Sequence, residues 1–542
     1  MSVNLKALRI LLIEDYAAMR MSIKAMLYQG KAEQIAEAYS AKMAIAMMEK
    51  QKFDLVLCDY NLGLGQNGQQ FLEEVKYRKL LPHSSIFIMV TAEQASSMIL
   101  NVVENKPDEY LAKPFNASQL LSRIEKQLFR KTYFIDIDQA IENDNLPLAI
   151  AYCEQLMRQY DPKMRTQLLK IGAELAINIG DFKTAQQYYQ EVLSQRDLAW
   201  AKHGMGVIAF LQNNFERAIE LFREVIVQAP MMIETYDWLT KAYEEIDKLQ
   251  DALDILKQAI EFSPQALIRQ QKLALLAEKS GDVDAAQKAY KSAIKLGHDS
   301  VYKSCQDFAG LAKIQINANN FKDALKLITE MRETFPKSPE AEFRAAQLET
   351  RIYYMQKDKP LTELAYAKIK HITQQRNDIP RDLLLDIAEV HFLMGNSDAG
   401  NQLIEELIAN YVDDDSFINE LIRRHQIFSK DKLYADALFK RTKLELIEVN
   451  NKGVHLFEQG HVAEALELLE SSYTKTPNNK FILMNLAKIL LRDIKASGIT
   501  KEKHMKISTY IAKAMALGVS RDKTGYLKTQ LAMLTSTTTN SK

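Results

Sequence analysis

Three alanines set 34 residues apart, Ala218, Ala252 and Ala286, and two prolines at the same separation, Pro230 and Pro264, constrain this chain more than any other feature. Each alanine sits in the same frame, an apolar residue three before it and another four after: Phe215 and Phe222, Leu249 and Leu256, Val283 and Tyr290. Small residues inside helical spacing at this period describe a pair of helices per unit, which hides its apolar face only against its neighbours. Gly or Ala where antiparallel helices cross lets the backbones approach, larger side chains fill the adjoining holes, and proline stops the second helix. Gly180-Asp181-Phe182 with Ala185 and Tyr189 continues the frame upstream, and Leu146, Ala149 and Cys153 form a weaker unit beginning near Thr132. Downstream, Phe321, Ala324, Ile328 and Pro336 follow after a four-residue excess, and Gly453, Val462, Ala465, Leu469 and Pro477 match again near the end. At 542 residues the chain exceeds one core at roughly 100–200 residues per domain, and a repeat array resolves the excess.

With Gly206 in one first helix and Tyr236, Leu239 and Tyr243 in the next, these units resemble the tetratricopeptide repeat (TPR) family. The resemblance implies an all-α TPR superhelix whose concave groove binds a protein or peptide partner. Repeats are expected over residues 131–340, degenerate repeats over 341–450 and TPR-like repeats again over 451–533, with a disordered tail at 534–542. In the middle stretch Lys357–Pro360 and Val412–Asp415 read as loops, and the register does not follow from the sequence. The repeat alanines and aromatics are expected in the core. Arg423-Arg424-His425 reads as a solvated helix face, and His203, His391 and His461 have no partners at metal or triad spacing.

Residues 1–130 carry a different pattern. Apolar runs at Leu8–Ile13, Phe53–Cys58, Ile86–Val90 and Glu109–Leu111 read as strands, alternating with helical stretches at Met19–Leu27, Ala41–Glu49, Gln69–Arg78, Gln94–Val103 and Ala117–Phe129. Strict alternation predicts a parallel, doubly wound sheet. Such sheets bind ligands beyond the carboxyl ends of their strands, where Glu14, Asp15, Asp59, Thr91 and Lys113 then converge. Three carboxylates beside one ammonium call for a cation, and hard oxygen donors that leave room for water suit Mg²⁺. Asp59 is the candidate nucleophile toward a phosphoryl group, with Lys113 and Thr91 holding its oxygens.

The acidic pair Glu14-Asp15, the acceptor Asp59, Thr91-Ala92 and Lys113-Pro114-Phe115, in that order, resemble a response-regulator receiver domain. The resemblance implies a five-stranded sheet in the order 2-1-3-4-5 and phosphorylation of Asp59 by a sensor histidine kinase or phosphotransfer protein. It implies Mg²⁺ held by Asp15, Asp59 and the backbone carbonyl of Asn61, with Glu14 acting through water. A cis Lys113–Pro114 peptide and a switch role for Tyr110, whose ring turns inward as Thr91 moves, follow from the same likeness. Asn61 and Glu93 are polar and able to orient an attacking water, so the phosphoryl group is expected to be short-lived. Where the family often has proline, Gly63-Leu64-Gly65-Gln66 makes a longer, looser loop.

Charge and cysteine content narrow the function. Seventy basic and seventy acidic residues cancel, which argues against a surface built for nucleic acid. No apolar run reaches the roughly 20 residues of a bilayer span, and Met1–Lys6 precedes no signal-peptide core, so a soluble cytoplasmic protein is expected. Cys58, Cys153 and Cys305 are too scattered for zinc and read as buried thiols. The domain combination resembles receiver–TPR regulators of the VieB type. It implies a phosphorelay component whose output is protein binding, with a homodimer among its allowed states and no enzymatic turnover beyond its own phosphorylation and dephosphorylation. The alternatives are a relay modulator that docks on a sensor kinase or competes for phosphate, and a TPR scaffold with a degenerate receiver.

Overall fold

The computed structural model describes residues 5–92, 106–159, 162–375, 379–429, 431–519, 524–528, 530, 531 and 534. The expected helix at Gln94–Val103, Glu93 and the Ser536–Lys542 tail lie outside the described residues. The chain forms two compact units, Met1–Ile177 with Phe182–Ile314, and Asn178–Asp181 with Gln315–Lys542.

The first unit begins with five strands, β1 (Arg9–Ile13), β2 (Gln34–Ala38), β3 (Leu55–Asp59), β4 (Ile86–Thr91) and β5 (Glu109–Ala112). They pair in parallel, as the strict alternation predicts, in the order β2-β1-β3-β4-β5 that the resemblance to receiver domains implies. Alternate residues of the central strands feed two separate cores. Leu11, Ile13, Val56, Cys58, Phe87 and Met89 face α2 (Ala41–Met48) and α3 (Gly68–Tyr77), where they meet Ala44, Phe71, Leu72 and Val75. Ile10, Leu12, Leu55, Leu57, Ile86 and Ile88 face the other way, against Ile23 and Leu27 of α1 (Ala17–Gln29) and Leu120 and Ile124 of α4 (Ala117–Tyr133). Burial on both sides explains why these strands read as continuous apolar runs. The run at β2 is missing from the sequence reading because Gln-Ile-Ala-Glu-Ala is an edge strand, polar and half covered. Asn67 and Asn116 cap α3 and α4, each in a reciprocal box with the glutamine three residues on.

After α4 the chain is helical throughout the described residues. Helix α5 (Ile135–Glu142) starts two residues after Tyr133, with Phe134 between, and returns to the sheet, where Asp138 Oδ1 lies 2.8 Å from His83 Nδ1. Glu142 Oε1 accepts from the amide and hydroxyl of Ser84 at 2.9 and 3.0 Å. Paired helices follow: α6 (Leu146–Gln159), α7 (Pro162–Ile179) with α8 (Phe182–Gln195), α9 (Ala199–Leu211) with α10 (Phe215–Gln228), α11 (Ile233–Glu245) with α12 (Leu249–Phe262), α13 (Leu267–Ser280) with α14 (Val283–Gly297), and α15 (Cys305–Asn317).

The repeat alanines are buried to the last few per cent, and the holes beside glycines are filled by aromatics. A Cβ on Gly206 would fall 2.5 Å from the Phe222 ring, one on Gly204 2.2 Å from Tyr189, and one on Gly310 2.2 Å from Tyr290. A left-handed residue makes each turn between the two helices of a unit: Asn213, Asp247 and Gly281, 34 apart, then Asn319, Lys357 and Gly395, each 38 beyond the last. The middle repeats are therefore regular, on a longer period.

In the second unit the helices are α16 (Phe321–Thr334), α17 (Pro339–Met355), α18 (Lys359–Gln375), α19 (Arg381–Leu393), α20 (Ser397–Tyr411), α21 (Asp415–Phe428), α22 (Tyr434–Glu458), α23 (Val462–Lys475), α24 (Lys480–Ser497) and α25 (Lys501–Ala516). Polar pairs replace part of the apolar packing here. Arg332 donates to Glu342 at 2.8 Å and to Glu349 at 3.0 Å. Arg424, expected on a solvated face, is mostly buried, with Asp386 at 2.6 Å and Glu389 as its second partner, and His425 is buried between the rings of Phe392 and Tyr434. Only Arg423 of that triplet is solvated, paired with Glu420. Of the other histidines named above, His203 lies 3.0 Å from the Thr235 hydroxyl, His391 2.6 Å from the Tyr366 hydroxyl, and the exposed His461 3.0 Å from Glu464.

Gly206→Val forces the Phe222 ring out of its hole and is expected to cost about 1–3 kcal/mol, Gly206→Ala less. Urea midpoints of the three proteins by circular dichroism check the order.

Candidate functional site

Parallel strands bring their carboxyl ends to one edge, so the site is assembled by register alone. Strand β1 runs into Glu14 and Asp15, β3 ends on Asp59, β4 ends on Thr91, and β5 runs through Ala112 into Lys113. The pairs Ile13 with Cys58, Asp59 with Val90 and Thr91 with Ala112 put these ends level across the sheet. The Lys113 amide donates to the Thr91 carbonyl at 2.7 Å, and the Lys113–Pro114 peptide is cis.

Lys113 Nζ lies 2.9 Å from Glu14 Oε2 and 3.0 Å from Asp59 Oδ2. Carboxylate oxygens of Glu14, Asp15 and Asp59 all fall within 4.8 Å of one another. Glu14, Asp59 and Thr91 are buried, whereas Asp15 faces solvent at the mouth. Burial pushes the Glu14 carboxyl above its ordinary range; the Lys113 hydrogen bond opposes this and the nearby Asp59 charge adds to it. Lys113 is held above its ordinary value although burial works against it, because hydrogen bonds to Glu14 and Asp59 outweigh that cost. Burial, with the charges of Asp59 and Glu14, raises the Cys58 thiol and leaves it inert.

Two supports escaped the sequence reading. Arg20, one turn into α1, donates to the carbonyl of Glu14 at 2.7 Å and to that of Asp15 at 3.3 Å, fixing the backbone of the acidic pair. Gly68 opens α3 where any side chain would strike the end of β3: its Cβ would lie 2.3 Å from the Asp59 carbonyl. The signals were present, an arginine one helical turn past the acids and a glycine at a helix start, but neither is specific without the fold.

The loop after Asp59 carries Asn61, which is exposed, and Gly63, whose left-handed backbone (φ 73°) lies against Asp15, with a Cβ position 3.0 Å from Asp15 Oδ2. Leu64 is fully exposed at its tip. The far end is tied down rather than loose: the Gln66 amide donates to Glu74 at 2.5 Å and to the Asp299 carbonyl at 3.0 Å. Tyr110 packs against the sheet core with its hydroxyl buried, and no hydrogen-bond partner for it is found among the described residues; burial, then the nearby Tyr60, pushes the phenol up to about 12. The all-oxygen donor set and the excess of carboxylates over ammonium fit a hard divalent cation, with Asp15 supplying an open, solvent-facing side.

A sequence profile of the response regulator receiver domain matches residues 10–125, and one of the tetratricopeptide repeat matches residues 172–231. The chemotaxis protein CheY of Pseudomonas aeruginosa is 32% identical over 119 residues, which cover 22% of this chain and 94% of that protein. Chemotaxis protein CheY-3 of Vibrio cholerae is 29% identical over 121 residues, covering 22% of this chain and 92% of its own length. Among solved structures, a CheY-like receiver domain from Methanospirillum hungatei aligns over 24% of this chain and 98% of its own, at 29% identity and a TM-score of 0.20.

Lys113→Met leaves the buried acids without their cation and is expected to lower stability by about 3 kcal/mol near neutral pH. A carboxyl raised in the folded state binds its proton more tightly there than in the unfolded chain. Stability of the variant therefore recovers as pH falls through the raised Glu14 range. Urea midpoints of wild type and K113M between pH 7 and 5 test both the loss and its sign.

Proposed function

The chain belongs to the response-regulator receiver family through residues 10–125, and from that membership we propose that it is a phosphorylation-controlled component of a two-component phosphorelay. The observation that carries this reading is the Asp59 carboxylate at the end of the central strand, 3.0 Å from Lys113 and within 4.8 Å of Glu14 and Asp15. An Asp59 oxygen attacks the phosphorus of a phosphohistidine on a sensor kinase or phosphotransfer protein. The P–N bond breaks, its electron pair leaves with the imidazole, and an acyl phosphate remains. Lys113 and the Thr91 hydroxyl hold the transferred oxygens. Asp15, Asp59, the Asn61 carbonyl and, through water, Glu14 would hold Mg²⁺, which supplies neutralisation of the charge that builds on the phosphoryl group.

Residues 1–130 serve as the receiver, and the repeats from 131 onward bind a protein partner in the cytoplasm. Tyr110 and Thr91 carry the switch. No turnover beyond self-phosphorylation and autodephosphorylation is assigned to the chain.

Incubation with acetyl phosphate and Mg²⁺, followed by intact-mass measurement, is expected to show one added phosphoryl group on the wild type. Asp59→Ala abolishes the adduct and chelation with EDTA prevents it. A wild type that stays unmodified at saturating acetyl phosphate would rule the reading out.

A further inference from the structure

Within the first compact unit, side chains of the sheet domain reach the repeats. Lys106, which precedes β5, forms an ion pair with Glu234 of α11. Gln66, in the loop leaving Asp59, donates to the Asp299 carbonyl at 3.0 Å, and Gln70 reaches the Leu296 carbonyl at 3.4 Å. Leu296 belongs to the last turn of α14, whose carbonyls have no partner within their own helix. At the other end of α3, Tyr77 meets Tyr302 edge to face, with ring centroids 6.1 Å apart and planes at 82°.

The receiving surface is a repeat surface. Thr166, Trp200 and Glu234 lie 34 residues apart on α7, α9 and α11, so they occupy one register position on three successive first helices. Thr166 and Trp200, with Lys170 and Glu174, line an open pocket of about 510 Å³ to which α4 contributes Arg130. Two acids share this face. Burial raises Glu174, against the pull of Lys170. Glu234 is also pushed up by burial, but the charge and hydrogen bond of Lys106 outweigh that and hold it below its ordinary range.

We propose that the receiver is the resident occupant of the surface formed by the first helices of the early repeats and the carboxyl end of α14, and that phosphorylation of Asp59 loosens it and frees that surface for a partner. The docking half stands on the contacts above; the coupling half rests on the phosphoacceptor reading. The coupling has a short mechanical path. Gly63 already lies against Asp15, and the start of α3 lies against the Asp59 carbonyl at Gly68, so added groups at Asp59 displace the loop and the helix start together. Gln66 and Gln70 sit on those two segments, and Asn67 fixes Gln70 by accepting its amide at 2.9 Å. Displacing them breaks both carbonyl contacts to the repeats, while Leu64 and Gly65, which touch little, leave the middle of the loop free to move.

The test uses the full chain and amide hydrogen exchange over residues 230–238 and 294–303. Lys106→Glu and Tyr77→Ala each change an exposed side chain and are expected to raise exchange there by about tenfold, whereas the charge swap K106E/E234K restores protection. Circular dichroism confirms that each variant is folded. Phosphorylation with acetyl phosphate and Mg²⁺, followed by intact mass, is expected to raise wild-type exchange over the same segments. Unchanged exchange in both single variants overturns the docked receiver. A full phosphoryl adduct with unchanged exchange overturns the coupling alone. Absence of an adduct overturns the phosphoacceptor reading and the coupling with it, and the charge swap still decides the docking.

Discussion

The ammonium of Lys113, 2.9 Å from Glu14 and 3.0 Å from Asp59, is the contact on which the site depends. Three carboxylate groups within 4.8 Å of one another repel strongly where water is scarce, and one cation set between two of them makes the arrangement tolerable without neutralising it. The residue of negative charge is what the proposed chemistry requires, since a divalent cation would be drawn to it and a phosphoryl group to the bound cation. Everything upstream serves to hold the ends level. Both faces of the sheet are buried, parallel register fixes the strands, and Arg20 and Gly68 pin the acidic ends to the helices beside them.

The repeats obey a constraint of packing rather than charge. Their helices approach at glycine and alanine, and the facing aromatic occupies the space that a side chain would need. That rule survives the change of period: Ala324 is as buried as Ala218 and Ala252, although it arrives after the longer spacing. Buried ion pairs tie successive helices in both units: Arg269 is held by Asp237 in the first, and Arg332 and Arg424 are each held by two carboxylates in the second.

Much of this was legible because it was periodic or convergent. Strand ends in the right order located Glu14, Asp15, Asp59, Thr91 and Lys113 without any structure, and small residues at fixed spacing located the first repeats. Three things were hidden. Strand β2 lies at the sheet's edge, half covered, so Gln34–Ala38 carries no apolar run. The middle repeats moved to a period of 38, which the turn residues Asn319, Lys357 and Gly395 reveal by backbone conformation rather than identity. Arg424 and His425 read as solvated because burial of a charge depends on partners, Asp386 and Glu389, placed one repeat away. Contacts such as Gln66 to Asp299 lie beyond sequence reasoning altogether, since a lone glutamine in a loop carries no signal.

The weakness of the contacts between receiver and repeats is what makes a switch physically reasonable. An ion pair between half-exposed side chains contributes about 0.2–1 kcal/mol, and an edge-to-face ring pair about 0.5–1.5 kcal/mol. Two neutral amide hydrogen bonds, one of them long, add about 1 kcal/mol apiece at most. A tenfold shift between two states needs about 1.4 kcal/mol, and a modification can move an equilibrium only by its differential preference for one state. A docked state held by contacts of this size is populated yet within reach of a single phosphoryl group. A large apolar interface would instead lie beyond it, because burial at roughly 25 cal/mol per Å² would soon exceed what new charge-assisted bonds at Thr91 and Lys113 could reverse. Among the described residues, the seat made by Lys106, Gln66, Gln70 and Tyr77 is polar or aromatic and sparse, the composition expected of a reversible seat rather than a permanent one.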